Sequence, residues 1–167
     1  MPTQTKRIWD DDGNLLTETS YFVTHNEPDH IGNATRHKHN TDGPAYREWY
    51  PDGSLHFEKW YIKGEHHRVD GPAIYEWYNN GTLKDENWIV SGDHHRTDGP
   101  AMSEWYDDGT LKDEVWFVGG KQMSKDEFSR MIARKSLQDK ILRSSRLLTL
   151  GEEVHSLPQD TLSVIGG

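Results

Sequence analysis

Aromatic and polar residues alternate along Ala45-Tyr46-Arg47-Glu48-Trp49-Tyr50, the period-two pattern of a β-strand with two distinct faces. Pro51-Asp52-Gly53 interrupts it, and the alternation resumes over residues 55–62 until Gly64. The interruption returns as Asn79-Asn80-Gly81 and Asp107-Asp108-Gly109. Such turns supply the positive φ that a short hairpin needs, so each segment predicts a β-hairpin. After Gly120 the pattern changes. Ser124-Lys125-Asp126-Glu127 reads as a capping box, and Phe128, Met131, Ile132, Ile141 and Leu142 follow at three- and four-residue spacings. A helix is predicted from about residue 125 to about 147.

The hairpin signal is periodic. His66-His67-Arg68-Val69-Asp70-Gly71-Pro72-Ala73 comes back 28 residues later as His94-His95-Arg96-Thr97-Asp98-Gly99-Pro100-Ala101, and a shorter form, His39-Asn40-Thr41-Asp42-Gly43-Pro44-Ala45, precedes it. Trp49/Trp77/Trp105, Trp60/Trp88/Trp116 and Gly64/Gly92/Gly120 keep the same interval. A fixed period of this size marks a repeat architecture. In each connector the proline lacks an N–H and holds the preceding glycine extended, which sets how the next strand begins. Successive hairpins are therefore expected side by side in one antiparallel meander.

Trp9-Asp10-Asp11-Asp12-Gly13 matches Trp49-Tyr50-Pro51-Asp52-Gly53, giving a first, degenerate repeat. Gly13 and Gly53 stand 40 residues apart rather than 28, so about 12 residues are inserted, within 22–38. Their polar, Pro- and Gly-bearing composition predicts a surface loop. The expected architecture is mainly β: an elongated antiparallel meander of about four 28-residue hairpin repeats over residues 1–122. A capping helix over 123–149 would cover the last strand's edge, and a mobile tail over 150–167 would follow.

Composition narrows the function. Hydrophobic residues are 32% of the 167, with seven Trp and seven Tyr, and mean hydropathy is −0.95. The core is therefore expected to be thin and aromatic. Net charge is −9 with ten His counted neutral, and the pI is about 5.5. Such a surface disfavours nucleic acid and suits a basic protein partner. With no cysteine, thiolate chemistry and Cys-type zinc sites are excluded. Neither an apolar leader core nor an apolar run of membrane-spanning length is visible, so a cytoplasmic protein is expected.

The unit Trp-Tyr-x-Asp/Asn-Gly-x-Leu…Trp…Gly…His-Arg-x-Asp-Gly-Pro-Ala resembles MORN repeats, in the variant found in phage and large-virus proteins. Phage versions also end in a Gly-Lys followed by a Glu-Phe-bearing helix, here Gly120-Lys121 and Glu127-Phe128. The resemblance covers about residues 9–131. It implies an interaction scaffold rather than an enzyme, in the host cytoplasm if phage-encoded. Asn40 departs from the pattern by standing where the later connectors have Arg.

Three chemistries suit the repeated side chains. In the connectors, His67, Arg68, His95 and Arg96 with Asp70 and Asp98 fit first a structural role, an Asx-type turn with Arg pairing or stacking on Trp. An anion or nucleotide edge, with Trp faces for stacking, is the alternative use. A metal-dependent hydrolase using His66, His67, His94 and His95 is a weaker one, since no metal-ligand spacing such as His-Glu-x-x-His is present. No nucleophile elbow or phosphate-cradling loop occurs. No catalytic residue, cofactor or metal is assigned. The third chemistry is a sheet face: Tyr46, Glu48, Tyr50, Glu76, Tyr78, Glu104 and Tyr106 are expected to form an acidic, aromatic surface that binds a protein partner or a second copy. A phage protein inhibiting a host defence factor would fit that charge.

Overall fold

The computed structural model describes residues 3–28 and 34–155. They divide into a β unit ending at Lys125 and a helical unit beginning at Asp126. Four hairpins make up the main sheet: β1 (Gln4–Trp9) with β2 (Leu15–Pro28), β4 (Tyr46–Trp49) with β5 (Leu55–Lys59), β8 (Ile74–Trp77) with β9 (Leu83–Asn87), and β12 (Met102–Trp105) with β13 (Leu111–Val118). They lie in the order β1-β2-β4-β5-β8-β9-β12-β13, all antiparallel, in an open sheet. The sequence-derived meander is the one observed.

The main turns are three-residue loops rather than two-residue ones. Tyr50 N–H donates to Ser54 O, and Gly53 N–H donates to Tyr50 O. Beyond the turn the register shifts between Glu48 and Trp49, leaving His56 as the extra residue; within it Gly53 has φ +85° while Asp52 stays at negative φ. That is a type I turn closed by a glycine bulge. Asp52 and Asp108 brace it by accepting the Ser54 and Thr110 N–H groups, as Asn80 does for Thr82.

A second tier of short hairpins was not legible from the alternation. β6 (Tyr61–Ile62) pairs with β7 (Glu65–His66), and β10 (Ile89–Val90) with β11 (Asp93–His94). The end of β13 turns into β14 (Lys121–Met123), so the last strand's edge is paired over Trp116, Phe117 and Val118. Their two-residue turns, Lys63-Gly64, Ser91-Gly92 and Gly119-Gly120, all have positive φ at both positions. This is the type I′ geometry that matches strand twist.

The insertion is not a loop over most of its length. β2 continues to Pro28 and pairs with β3 (Ala34–Lys38), placing Tyr21 opposite Lys38 and Val23 opposite Arg36. The Tyr21-Phe22-Val23-Thr24 run is aromatic and β-branched, and that strand preference outweighs the turn-forming residues around it. Residues 29–33 lie outside the described part.

Burial is concentrated in the alanine of each Asp-Gly-Pro-Ala: Ala45 is 1% exposed, and Ala73 and Ala101 are 0%. Each backbone is shared between neighbouring strands. Ala73 N–H donates to Asn87 O, and Ala73 O accepts from Trp60 N–H. Three strand segments meet there, which leaves room for a methyl group.

In the helical unit, α1 (Lys125–His155) begins one residue after Ser124, as the capping pattern predicts, with Asp126 and Glu127 in its first turn. It runs six residues past the expected end at 149. The rest of the expected tail, 156–167, lies outside the described residues. Leu137, Ile141 and Leu142 are exposed on the helix.

Candidate functional site

Strand pairing sorts the candidates onto two faces. On one, Glu48 lies opposite Phe57, Phe57 opposite Glu76, Glu76 opposite Asp85, Asp85 opposite Glu104, and Glu104 opposite Asp113. Directly opposed residues share a face. The six strands β4, β5, β8, β9, β12 and β13 therefore carry one transverse row with five carboxylates, at strand spacings of ~4.8 Å.

The tyrosines flank this row. Tyr46 donates its hydroxyl to Glu48 Oε2 at 2.5 Å. At the turn end, Tyr50 donates to Trp77 O at 2.9 Å, and Tyr78 donates to Trp105 O at 3.0 Å. Each tyrosine thus ties its hairpin to the next. Tyr106, the equivalent in the last hairpin, is half exposed. Tyr46, Glu48, Tyr50, Glu76, Tyr78, Glu104 and Tyr106, nominated from alternation alone, are brought together on this face.

Sequence reasoning missed the return-strand members Asp85 and Asp113 and the cations among them. Lys84 pairs with Glu76 at 2.6 Å, and Lys112 with Glu104 at 2.7 Å. His56 lies 3.3 Å from Glu48 and 3.6 Å from Glu76, and stacks on Tyr50 at 4.2 Å. Positions 56, 84 and 112 keep the 28-residue interval, which was the available signal. The cations do not balance the row. Burial pushes the Asp85 carboxyl up to about 6, with the Glu76 and Glu104 carboxylates adding to it, against a hydrogen bond from Asn87.

The second face carries the tryptophans and the connectors. Trp77 stacks on Tyr75, and Trp60 meets Tyr75 edge-on. Arg68 lies 4.3 Å above the Trp60 ring and Arg96 4.0 Å above Trp88. Each guanidinium also bonds the aspartate two residues on, Asp70 at 3.0 Å and Asp98 at 2.7 Å, and the proline carbonyl, Pro72 at 3.4 Å and Pro100 at 3.2 Å. The glycine before that proline is the floor beneath the guanidinium. A Cβ at Gly71 would sit 2.8 Å from Arg68 Cζ, and one at Gly99 2.9 Å from Arg96 Cζ. The connector motif is thereby decoded: Arg on Trp, Asp to hold Arg, Gly to admit it, Pro to offer a carbonyl, and Ala to fill the junction. In the first connector Asn40 reaches the Pro44 carbonyl at 3.1 Å instead.

The connector histidines have a second task. His39, His67 and His95 accept through Nδ1 from the backbone N–H of Lys63, Ser91 and Gly119 respectively. Each braces the left-handed turn residue of the following short hairpin. His66 instead packs against Tyr61 at 4.0 Å, and His94 lies 3.1 Å from Asn87 Oδ1. An open cleft lined by Asn40, Asp42, Trp60, His67, Arg68 and Asp70 separates the first two connectors. Its guanidinium is already held by Trp60, Asp70 and Pro72. Among the described residues, no cluster of three or more His, Asp or Glu has metal-binding geometry, and no helix is long and apolar enough to cross a membrane. Compared with protein-family profiles, curated proteins and solved structures, the chain gives no match.

Proposed function

We propose that the protein is a binding module without chemistry of its own, whose acidic, tyrosine-flanked sheet face docks on a basic surface of a protein partner. The transverse row Glu48, Glu76, Asp85, Glu104 and Asp113 carries this reading. Among the described residues, the five carboxylates pair with Lys84, Lys112 and His56, and Lys59 lies on the same face over the Phe57 ring. A basic partner would offset the Glu76 and Glu104 repulsion that adds to burial in raising Asp85. Tyrosines beside such a row add rigid contact area. The phage-type resemblance of the repeat makes a nucleic-acid-handling host defence factor the first partner to test.

The experiment is affinity capture from bacterial lysate at low and high salt, with the wild-type chain and the Glu104→Gln/Asp113→Asn variant. Support is one basic partner, released by salt, lost in the variant and retained by Arg68→Ala. Capture that ignores the carboxylates but fails in Arg68→Ala would move the site to the connectors.

A further inference from the structure

The two outer edges of the main sheet complement each other. β1 is exposed along its whole length, with Trp9 52% and Ile8 45% exposed. At the other end, residues 111–113 of β13 are exposed, Leu111 by 51%. Among the described residues, no strand pairs with the outer side of β1 or with the outer side of β13 over residues 111–115. Long open edges of this kind are templates for another strand.

The interactions that join hairpins inside the array show what each edge lacks. Arg47 lies between two carboxylates, Glu58 of its own hairpin at 2.8 Å and Glu18 of the preceding one at 3.4 Å. Its counterpart Arg7 has Glu18 of its own hairpin at 2.7 Å and, among the described residues, no carboxylate on the outer side. Tyr50 and Tyr78 each donate to the carbonyl of the next hairpin's tryptophan. For Tyr106 no acceptor is present among the described residues, while the exposed Trp9 is the counterpart of Trp77 and Trp105.

The repeat fixes the register. Glu58 faces Tyr75 and Glu86 faces Ser103 across successive hairpin boundaries. Carrying that pairing forward 28 residues on one side, and using the Trp9–Trp105 equivalence on the other, puts Glu114 opposite Arg7. Val115 then faces Lys6, and Asp113 faces Ile8. A basic strand meets an acidic one, and Tyr106 meets the Trp9 carbonyl. We propose that copies of this chain associate head to tail, the outer edge of β13 in one copy pairing with the outer edge of β1 in the next. Such a contact uses two different surfaces, so it does not close at a dimer; it grows or forms a ring. The junction also brings the acidic turn at Asp107-Asp108 beside Asp10-Asp11-Asp12. Salt screens that repulsion together with the Arg7–Glu114 attraction.

Sedimentation velocity of the full chain across a hundredfold range of concentration tests this. The expected result is a mass that rises beyond two copies of the 19.4 kDa chain. Arg7→Glu and Glu114→Arg should each weaken association about tenfold or more, and an equimolar mixture of the two should regain it. Tyr106→Phe removes one exposed hydroxyl without touching the fold, and should weaken association about fivefold. It decides the matter if either charge reversal fails to fold. A chain that stays monomeric at every concentration, a mass that stops at two copies, or association untouched by these variants overturns the proposal.

Discussion

Replacing Gly99 with alanine drives a methyl group into the guanidinium of Arg96. The new Cβ would lie 2.9 Å from Cζ and 3.1 Å from Nε. Gly99 is not among the glycines at positive φ, so alanine meets no backbone strain there and the whole cost falls on Arg96. Expelling that guanidinium loses its stack on Trp88 at 4.0 Å, worth ~1–2 kcal/mol. It also loses the bond to Pro100 O, worth ~1 kcal/mol. The ion pair with Asp98 adds little, because Asp98 is 76% exposed, and the longer one with Glu86 at 3.5 Å adds ~0.5 kcal/mol. Gly99→Ala should therefore cost about 2 kcal/mol, and Arg96→Ala about as much plus the packing of its stem. In the Arg96→Ala background the clash is gone. There Gly99→Ala should be neutral or stabilise by about 0.4–1 kcal/mol, because alanine restricts the unfolded chain. Urea unfolding of the four proteins, followed by tryptophan fluorescence and far-UV circular dichroism, measures this cycle. Equal costs for Gly99→Ala in both backgrounds would refute the claim that glycine is there to admit arginine.

Four further outcomes are expected. Burial, with Lys59 and Lys38 nearby, holds His66 down to about 4 from 6.5; the fold favours neutral His66, so its contribution is full above pH 6.5 and is lost as pH falls toward 4. The loss is at most ~3 kcal/mol before screening, and His66→Phe should flatten the acid limb of a stability–pH profile. Asp85, raised from 3.8 to about 6, contributes fully below pH 3.8 and loses that contribution as pH rises through 6. Asp85→Asn should therefore stabilise by about 1 kcal/mol at pH 8 and by almost nothing at pH 4, read from melts at the two values. Ser91 has φ +51° and Lys63 φ +52°, so Ser91→Gly and Lys63→Gly should each raise the urea midpoint, by about 0.5–1 kcal/mol of stability. His67→Ala should lower it by about 1 kcal/mol through the lost acceptor for Ser91 N–H.

The hairpins were readable because two independent signals agreed, alternation along Tyr46-Arg47-Glu48-Trp49 and a turn at each of Gly53, Gly81 and Gly109. The acidic face was half readable. First-strand residues Glu48, Glu76 and Glu104 follow from parity, but pairing Asp85 and Asp113 with them needs the register, which a bulge at Lys84 and another at Lys112 shift by one residue. The short hairpins escaped because two-residue strands such as Ile89-Val90 are too brief to show a period. Their turns also place Lys63 and Ser91 where glycine would be expected. The insertion was misread because composition reports turn formers and says little about the Tyr21–Thr24 strand beside them. Each connector histidine bonds a backbone N–H 24 residues away, a partner that no local pattern displays.

The bonds that join hairpins recur every 28 residues. Tyr50 reaches Trp77 and Tyr78 reaches Trp105; His67 reaches Ser91 and His95 reaches Gly119. Removing residues 61–88 in one piece would splice Trp60 to Ile89; Tyr50 would then meet Trp105 and His39 would meet Ser91, and only His94 would lose its partner, Asn87. Removing 27 or 29 would put the bonds across the splice out of step and turn the acidic row beyond it to the other face. Length in this chain is therefore quantised, so that gene duplication or excision of a whole unit is a gentler change than the loss of a single codon.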